Sequence, residues 1–244
     1  MKNYGLIGHP LSHTFSPAYF KEKFEAEGIE ATYKAYELED INGLRELIEK
    51  NNLDGVNITI PHKLRVMRLM DDLDPLVARA KAVNTVKVVD GKLIGYNTDL
   101  LGFRKSLRDQ LGYKRAAAIV LGTGGAASAI KGALEVMGIP YLVVSRNTRV
   151  GDLTYQGLTK RIFEQYNLII NTTPVGMSPN TDEFPDIPYE LLTEKHYVFD
   201  LIYNPEKTVF LAKAEQQGCN IQNGLEMLHQ QAEESWKIWS KDLD

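Results

Sequence analysis

Cysteine is almost absent: the 244 residues include one, Cys219. An internal disulfide framework is therefore excluded, and a reducing compartment suits the chain. Long apolar runs are also lacking, and none approaches the roughly 18–20 residues of a membrane span. Basic blocks are missing, with 28 Lys and Arg against 32 Asp and Glu, a net charge of -4 and a pI near 5.8. Nucleic acid is a poor partner for such a chain. Residues 1–3 lead directly into a short apolar stretch without a small-residue cleavage site, so no signal peptide is expected. Metal-ligand clusters are not seen either. His9 and His13 are four residues apart, but Pro10 keeps them off one helix face. His62, His196 and His229 form no recognisable triad with a serine or with Cys219. These absences predict a cytoplasmic protein that binds neither metal, membrane nor nucleic acid.

What is present is the ordinary balance of a globular protein, 43% hydrophobic and 25% charged. The length accommodates two domains of about 100–150 residues. No internal repeat is visible. The first half alternates strand signals (4–8, 31–38, 55–60) with helical ones (16–28, 40–50). Ser16-Pro17 reads as a capped helix start. Asp90-Gly91 separates two β-rich runs, a strong hairpin signal. Parallel and antiparallel pairing should thus mix in this half. A helix from about 101 to 111 leads to a second unit of strands (116–121, 141–145, 168–173, 197–202) and helices (126–137, 206–217). A last helix, 225 to about 240, carries Leu228, Trp236 and Trp239. The predicted division is 1–98, with 225–244 packing back on it, and 99–224.

Gly122-Thr123-Gly124-Gly125-Ala126-Ala127 follows a strand and opens a helix, the context in which a glycine-rich turn cradles a dinucleotide. Gly122 permits the tight turn, Gly124 lets a pyrophosphate approach the backbone, and the helix N-terminus supplies free N–H groups. About 20 residues on, an NAD site would place a carboxylate against the ribose hydroxyl. Here the chain reads Ser145-Arg146-Asn147-Thr148-Arg149, with no acid before Asp152. Guanidinium groups match a 2′-phosphate, which favours NADP, with Arg146 the principal contact.

The first half carries polar residues where a fold does not need them: Thr14 and Ser16, Asn57 and Thr59, Asn84 and Thr85, and Asn97, Thr98 and Asp99. Gathered at strand ends, they would bind a small polyhydroxylated molecule. Taken singly, Thr14, Ser16 and Asp99 also read as helix caps and Asn84 as a turn residue. Lys63 with Asp99 is the pair with chemistry, a lysine able to exchange a proton at an oxygen while a carboxylate orients it. A surface ion pair is the plainer alternative.

These motifs together resemble the shikimate dehydrogenases along nearly the whole chain. The matching segments are 8–17 (Gly-His-Pro-Leu-Ser-His-Thr-Phe-Ser-Pro), 57–63 (Asn-Ile-Thr-Ile-Pro-His-Lys), 82–85 (Ala-Val-Asn-Thr) and 97–99 (Asn-Thr-Asp). They continue with 122–126, 171–177 (Asn-Thr-Thr-Pro-Val-Gly-Met), 203–205 (Tyr-Asn-Pro) and 223–232 (Asn-Gly-Leu-Glu-Met-Leu-His-Gln-Gln-Ala). The resemblance implies an α/β fold with a mixed-sheet substrate domain, a Rossmann-type NADP domain and an active site in the cleft between them. It implies reversible NADPH-dependent reduction of 3-dehydroshikimate to shikimate, a step of aromatic amino-acid biosynthesis, by a monomer or homodimer.

By the same resemblance Lys63 and Asp99 are catalytic, and Thr14, Ser16, Thr59, Asn84, Tyr203 and Gln231 join them on the substrate. Gly122, Gly124, Gly125, Ala126, Arg146, Asn147, Arg149, Asn171, Thr172, Thr173 and Gly224 line the cofactor side. The chain departs from the family's usual pattern at Thr14, in place of serine, at Thr172, in place of alanine, and at Arg149, one place out of register. Residues 149–163 look trimmed. Two rivals remain: an NAD-dependent quinate/shikimate dehydrogenase, and a non-catalytic sensor of NADP and a cyclohexene acid. Arg146 without a neighbouring acid opposes the first. The intact Lys63 and Asp99 oppose the second.

Overall fold

The apolar runs centred on Leu6, Val56, Val120 and Ile169 are too short for helices and too continuous for one-sided strands; they become central strands buried on both faces. The computed structural model describes residues 1–11, 14–111, 116–147 and 149–241, without the side chains of 108–111; His13 and Thr148 lie outside the described residues. It divides into Met1–Asp99 with Gln231–Asp244, and Leu100–Gln230, so the second division falls inside the last helix. Among the described residues no helix is long and apolar enough to cross a membrane.

In the first unit, β1 (Lys2–Gly8) pairs in parallel with β2 (Ala31–Glu37) and β3 (Gly55–Ile58). The hairpin of β5 (Thr85–Val89) and β6 (Lys92–Tyr96) then adds antiparallel to β3, and the short β4 (Asp72–Leu73) closes the far edge. Asp90 and Gly91 both take positive φ, 50° and 75°, as a tight primed turn requires. Strand order is β2-β1-β3-β5-β6-β4. Because β5 runs against β3 and β6 runs against β5, the carboxyl ends of β1, β3 and β6 share one edge with the start of β5. Residues 8, 59, 84 and 97 are thereby brought to the same end of the sheet.

Helix α1 (Ser16–Glu27) closes on Gly28, but its cap differs from the expected one. Phe15 occupies the capping position without a side-chain bond, while Ser16 is already helical and buried. The segment expected as one helix over 40–50 begins as a single 3₁₀ turn that Asp40 caps, followed by α2 (Leu44–Asn51). The short α3 (Val77–Ala80) precedes β5. The second half of the last helix, α8 (Leu225–Ser240), lies on β1 and α1. Trp239 stacks on Tyr4 at 4.7 Å and Trp236 meets it edge-on at 5.9 Å.

The second unit holds five parallel strands, β7 (Ala118–Leu121), β8 (Tyr141–Val144), β9 (Leu168–Asn171), β10 (Tyr197–Asp200) and β11 (Asn220–Gln222), in the order β11-β10-β9-β7-β8. Helices α5 (Gly125–Met137), α6 (Lys160–Gln165) and α7 (Val209–Gln216) connect them, and α4 (Thr98–Leu111) leads in. The chain steps from β7 to β8 on one side and returns to β9 on the other. This reversal is where open α/β sheets place ligands, beyond the carboxyl ends of the strands.

Candidate functional site

In the first unit, Lys63 follows β3 on a turn in which His62 N–H donates to the Thr59 carbonyl, and the Lys63 carbonyl accepts from Val83 N–H at 2.9 Å. Asp99 stands in the first turn of α4, where a negative charge is favoured by the helix dipole. The Lys63 ammonium donates to Asp99 Oδ2 at 2.6 Å, with side chains only 17% and 10% exposed. This removes the surface-pair alternative. A lysine held this way is a charge-assisted donor with two further N–H bonds to offer.

The other polar candidates of this unit collect at the same sheet end. Thr59 N–H donates to the Ile7 carbonyl at 2.8 Å, and Ile58 N–H to that of Asn84 at 2.8 Å. Thr14 is half-buried in the loop after β1. Ser16 is buried at the start of α1, and the Tyr33 hydroxyl, whose pKa burial raises, donates to Asn57 Oδ1 at 2.8 Å. Asn84 is tied inside the protein: its Oδ1 accepts from Thr98 N–H at 2.7 Å, and its Nδ2 donates to Thr98 Oγ1 at 3.0 Å. Gln231, 8% exposed, lies on α8 with its Oε1 3.4 Å from Thr98 Oγ1. Thr98, Thr85 and Ser235 form a buried triangle of hydroxyls spaced 3.0–3.1 Å, and Asn57 joins it through Nδ2. Ser235 escaped the sequence reading. Its signal is position, four residues after Gln231 on the same helix face.

In the second unit, the glycine-rich turn opens α5 beyond β7. Gly122 has φ of 113°, and a Cβ there would stand 2.7 Å from Thr172 Oγ1, so only glycine fits. Gly124 is different. Its φ is negative and nothing lies within 4 Å of the space a Cβ would take. The fold does not demand glycine there; an approaching phosphate would. Gly124 caps α5 without a side-chain bond, and no acid stands in the first turn with Gly125 and Ala126, which leaves the helix N-terminus to an external anion.

Arg146, Asn147 and Arg149 are exposed just past β8. Asn147 Oδ1 accepts from Arg149 N–H at 2.9 Å, so this amide shapes the turn. Among the described residues neither guanidinium has a side-chain hydrogen bond or ion pair, though the Arg146 charge reaches Tyr155. Asp152, the first acid after them, accepts from Val143 N–H at 2.8 Å. These groups suit a 2′-phosphate, and the turn suits the pyrophosphate behind it.

Asn171 ends β9, and Thr172 and Thr173 follow it beside that turn. Thr172 Oγ1 donates to the Leu121 carbonyl at 2.6 Å. Asn171 spends its amide internally, donating to Asp200 at 3.0 Å and accepting from Thr173 N–H and Oγ1. These bonds hold Thr173 beside the turn. Asp200 is wholly buried, and burial pushes its carboxyl up to about 6 against hydrogen bonds from Thr208, Ile202 N–H and Asn171. Its signal was a carboxylate ending an otherwise apolar strand. Gly224 packs against the Leu201 carbonyl, and Tyr203, half-buried with a raised pKa, follows β10. Tyr203 therefore lies in the second unit, whereas Thr14, Ser16, Thr59, Lys63, Asn84, Asp99 and Gln231 lie in the first. Cys219 is buried and its thiol is pushed up to about 11, an inert state.

Residues 6–86 match the family model of the shikimate dehydrogenase substrate binding domain. A shikimate dehydrogenase (NADP(+)) of Staphylococcus aureus is 37% identical over 99% of this chain and 94% of its own length. The shikimate 5-dehydrogenase of Thermus thermophilus, solved in complex with NADP(H) and shikimate, superposes with a TM-score of 0.87 at 31% identity, covering 99% and 94% of the two chains. A quinate dehydrogenase of Corynebacterium glutamicum, in complex with NAD, gives 0.88 at 25% identity, covering 98% and 94%.

Proposed function

The chain belongs to the shikimate dehydrogenase family, and from that premise we propose that it interconverts 3-dehydroshikimate and shikimate with NADP, using the residues just described. The observation that carries this reading is the 2.6 Å contact of Lys63 with Asp99 among converging hydroxyls and amides. When bound, NADPH supplies the hydride that the C3 carbonyl carbon takes up. Lys63 delivers a proton to the carbonyl oxygen as that oxygen gains negative charge, and recovers it in the oxidative direction. Asp99 keeps the ammonium in place and accepts from a substrate hydroxyl. Thr14, Ser16, Thr59, Asn84 and Gln231 bind the remaining hydroxyls and the carboxylate; Tyr203 is assigned to substrate on the family resemblance.

The turn of Gly122, Gly124, Gly125 and Ala126 holds the pyrophosphate and Arg146 the 2′-phosphate, with Arg149 second to it. Asn147 shapes their turn; residues 171–173 and Gly224 complete the cofactor side. The absence of a free acid at the end of β8 supports NADP over NAD. A cytoplasmic location is the corresponding assignment, supported by the single free cysteine, and a monomer or homodimer completes the reading.

Lys63→Met removes the proton donor and keeps most of the side-chain volume. Its turnover of shikimate should fall roughly 10²–10⁴-fold, the usual worth of a positioned acid–base group. Binding of NADPH, followed by fluorescence, should be unchanged. Turnover near the wild-type level would take Lys63 out of the mechanism.

A further inference from the structure

We propose that Thr98 is a positioning residue that fixes Asn84 and Gln231 as hydrogen-bond donors toward the substrate, and so sets which substrate atoms those two positions accept. This deepens the shikimate reading and rests on it. Protons and lone pairs can be counted around the cluster. Asn84 Oδ1 faces inward, taking Thr98 N–H at 2.7 Å and Thr85 Oγ1 at 3.2 Å. One Asn84 N–H is consumed by Thr98 Oγ1 at 3.0 Å. Thr98 has one hydroxyl proton and two carbonyl oxygens within reach of Oγ1, Asn84 Oδ1 at 3.3 Å and Gln231 Oε1 at 3.4 Å. The Thr98 N–H and the Thr85 hydroxyl already fill the two lone pairs of Asn84 Oδ1, which assigns the proton to Gln231.

The neighbouring hydroxyls agree with that assignment. Ser235 donates back to the Gln231 main-chain carbonyl at 2.9 Å, the habitual bond of a helical serine. It accepts from Asn57 Nδ2 at 2.9 Å. Thr85 also accepts from Asn57 Nδ2, at 3.0 Å, which leaves its own proton for Asn84 Oδ1. Every hydroxyl proton thus has an acceptor, and both amide carbonyls point into the protein. What remains to face a ligand is one N–H of Asn84 and the NH₂ of Gln231. An acceptor oxygen, a carboxylate or a hydroxyl lone pair, is the complementary group; a bound N–H donor at either position is refused.

Thr98 is the only one of the three hydroxyls that contacts both amides, and it directly precedes Asp99. Removing its hydroxyl leaves a buried N–H of Asn84 and the Gln231 carbonyl without their partner, and frees both amides to turn over.

The test is steady-state kinetics of shikimate oxidation with NADP⁺ on wild type, Thr98→Val and Thr98→Ser, each checked for folding by circular dichroism. Valine keeps the shape without the hydroxyl, and serine keeps the hydroxyl. Thr98→Val should raise KM for shikimate about tenfold or more, the effect of one buried unpaired polar group. Its KM for NADP⁺ should stay within about twofold of wild type, and Thr98→Ser should behave nearly as wild type. If Thr98→Val does not fold, Thr98→Cys gives the same test with a poor hydrogen-bonding sulfur. A folded valine or cysteine variant with unchanged shikimate KM overturns the proposal, as does equal damage in the serine variant or a matching rise in the KM for NADP⁺. Wild type inactive on shikimate would instead overturn the reading of the site, and this proposal with it.

Discussion

At the scale of single residues, burial decides what the charged and polar groups do. Lys63 and Asp99 stood in the sequence as one pair among many, and only their shared burial separates them from a solvated surface contact. Asp200 shows the same influence on a group outside the proposed chemistry. Burial raises its carboxyl from 3.8 to about 6, and no cation pairs with it among the described residues; its charge in turn helps to raise the pKa of Tyr189. Between about pH 4 and 6 the folded chain keeps a proton there that the unfolded chain releases, so this group's contribution to stability falls as pH rises. Asp200→Asn abolishes the titration. The stability of wild type relative to the variant, from urea unfolding, should therefore decline by up to about 3 kcal/mol from pH 4 to pH 7. A difference that grows with pH would mean that the hydrogen bonds to the carboxylate outweigh its desolvation.

Residue types and spacing made the glycine turn, Arg146, Lys63 and Asp99 readable in advance. The internal commitment of side chains was not readable. The family resemblance put Asn171 on the cofactor side, and nothing in the sequence told that Asp200 and Thr173 also engage its amide. Asn147 Oδ1 likewise accepts from Arg149 N–H inside its turn. Hydrogen-bond partners 29 residues away, as for Asn171 and Asp200, leave no local periodic trace.

At the scale of elements, periodicity and punctuation found every long helix and the central strands, while short edge pieces escaped. The two-residue β4, the three-residue β11 and the six-residue α6 are too brief to show a period and owe their form to neighbours. The expected cap at Ser16 failed because the helix starts one residue earlier, so that Phe15 holds the capping position and Ser16 is already a buried helical residue.

Helix α8 is the element whose docking counts most for the substrate side, because Gln231 and Ser235 ride on it. Trp239 anchors it, 3% exposed, stacked on Tyr4, with its indole N–H donating to the Val86 carbonyl at 3.0 Å. Gly55 at the start of β3 leaves the room that the ring occupies. Trp239→Phe should lower stability by about 1–3 kcal/mol, the cost of an orphaned buried carbonyl and a smaller ring. Thermal or urea denaturation reads this directly. A loss below about 0.5 kcal/mol would show that α8 is held elsewhere.

At the scale of the whole molecule, two sheets use the same device. In each, the strand order reverses beside a central strand, β1 in the first unit and β7 in the second, and polar or glycine residues gather beyond the carboxyl ends. One unit presents a lysine, a carboxylate, hydroxyls and amides, and the other an open helix N-terminus followed by exposed arginines. The first set suits a polyhydroxylated acid and the second a phosphorylated dinucleotide. Their presence in one chain is what makes a dehydrogenase rather than a binding protein. The most direct measurement is the absorbance of reduced cofactor formed when the purified protein meets shikimate with NADP⁺, run beside NAD⁺ and beside quinate. Shikimate should reduce NADP⁺ rapidly, with a clear preference over NAD⁺ and over quinate. No reduction of either cofactor, or a strong preference for NAD⁺, would contradict the assignment.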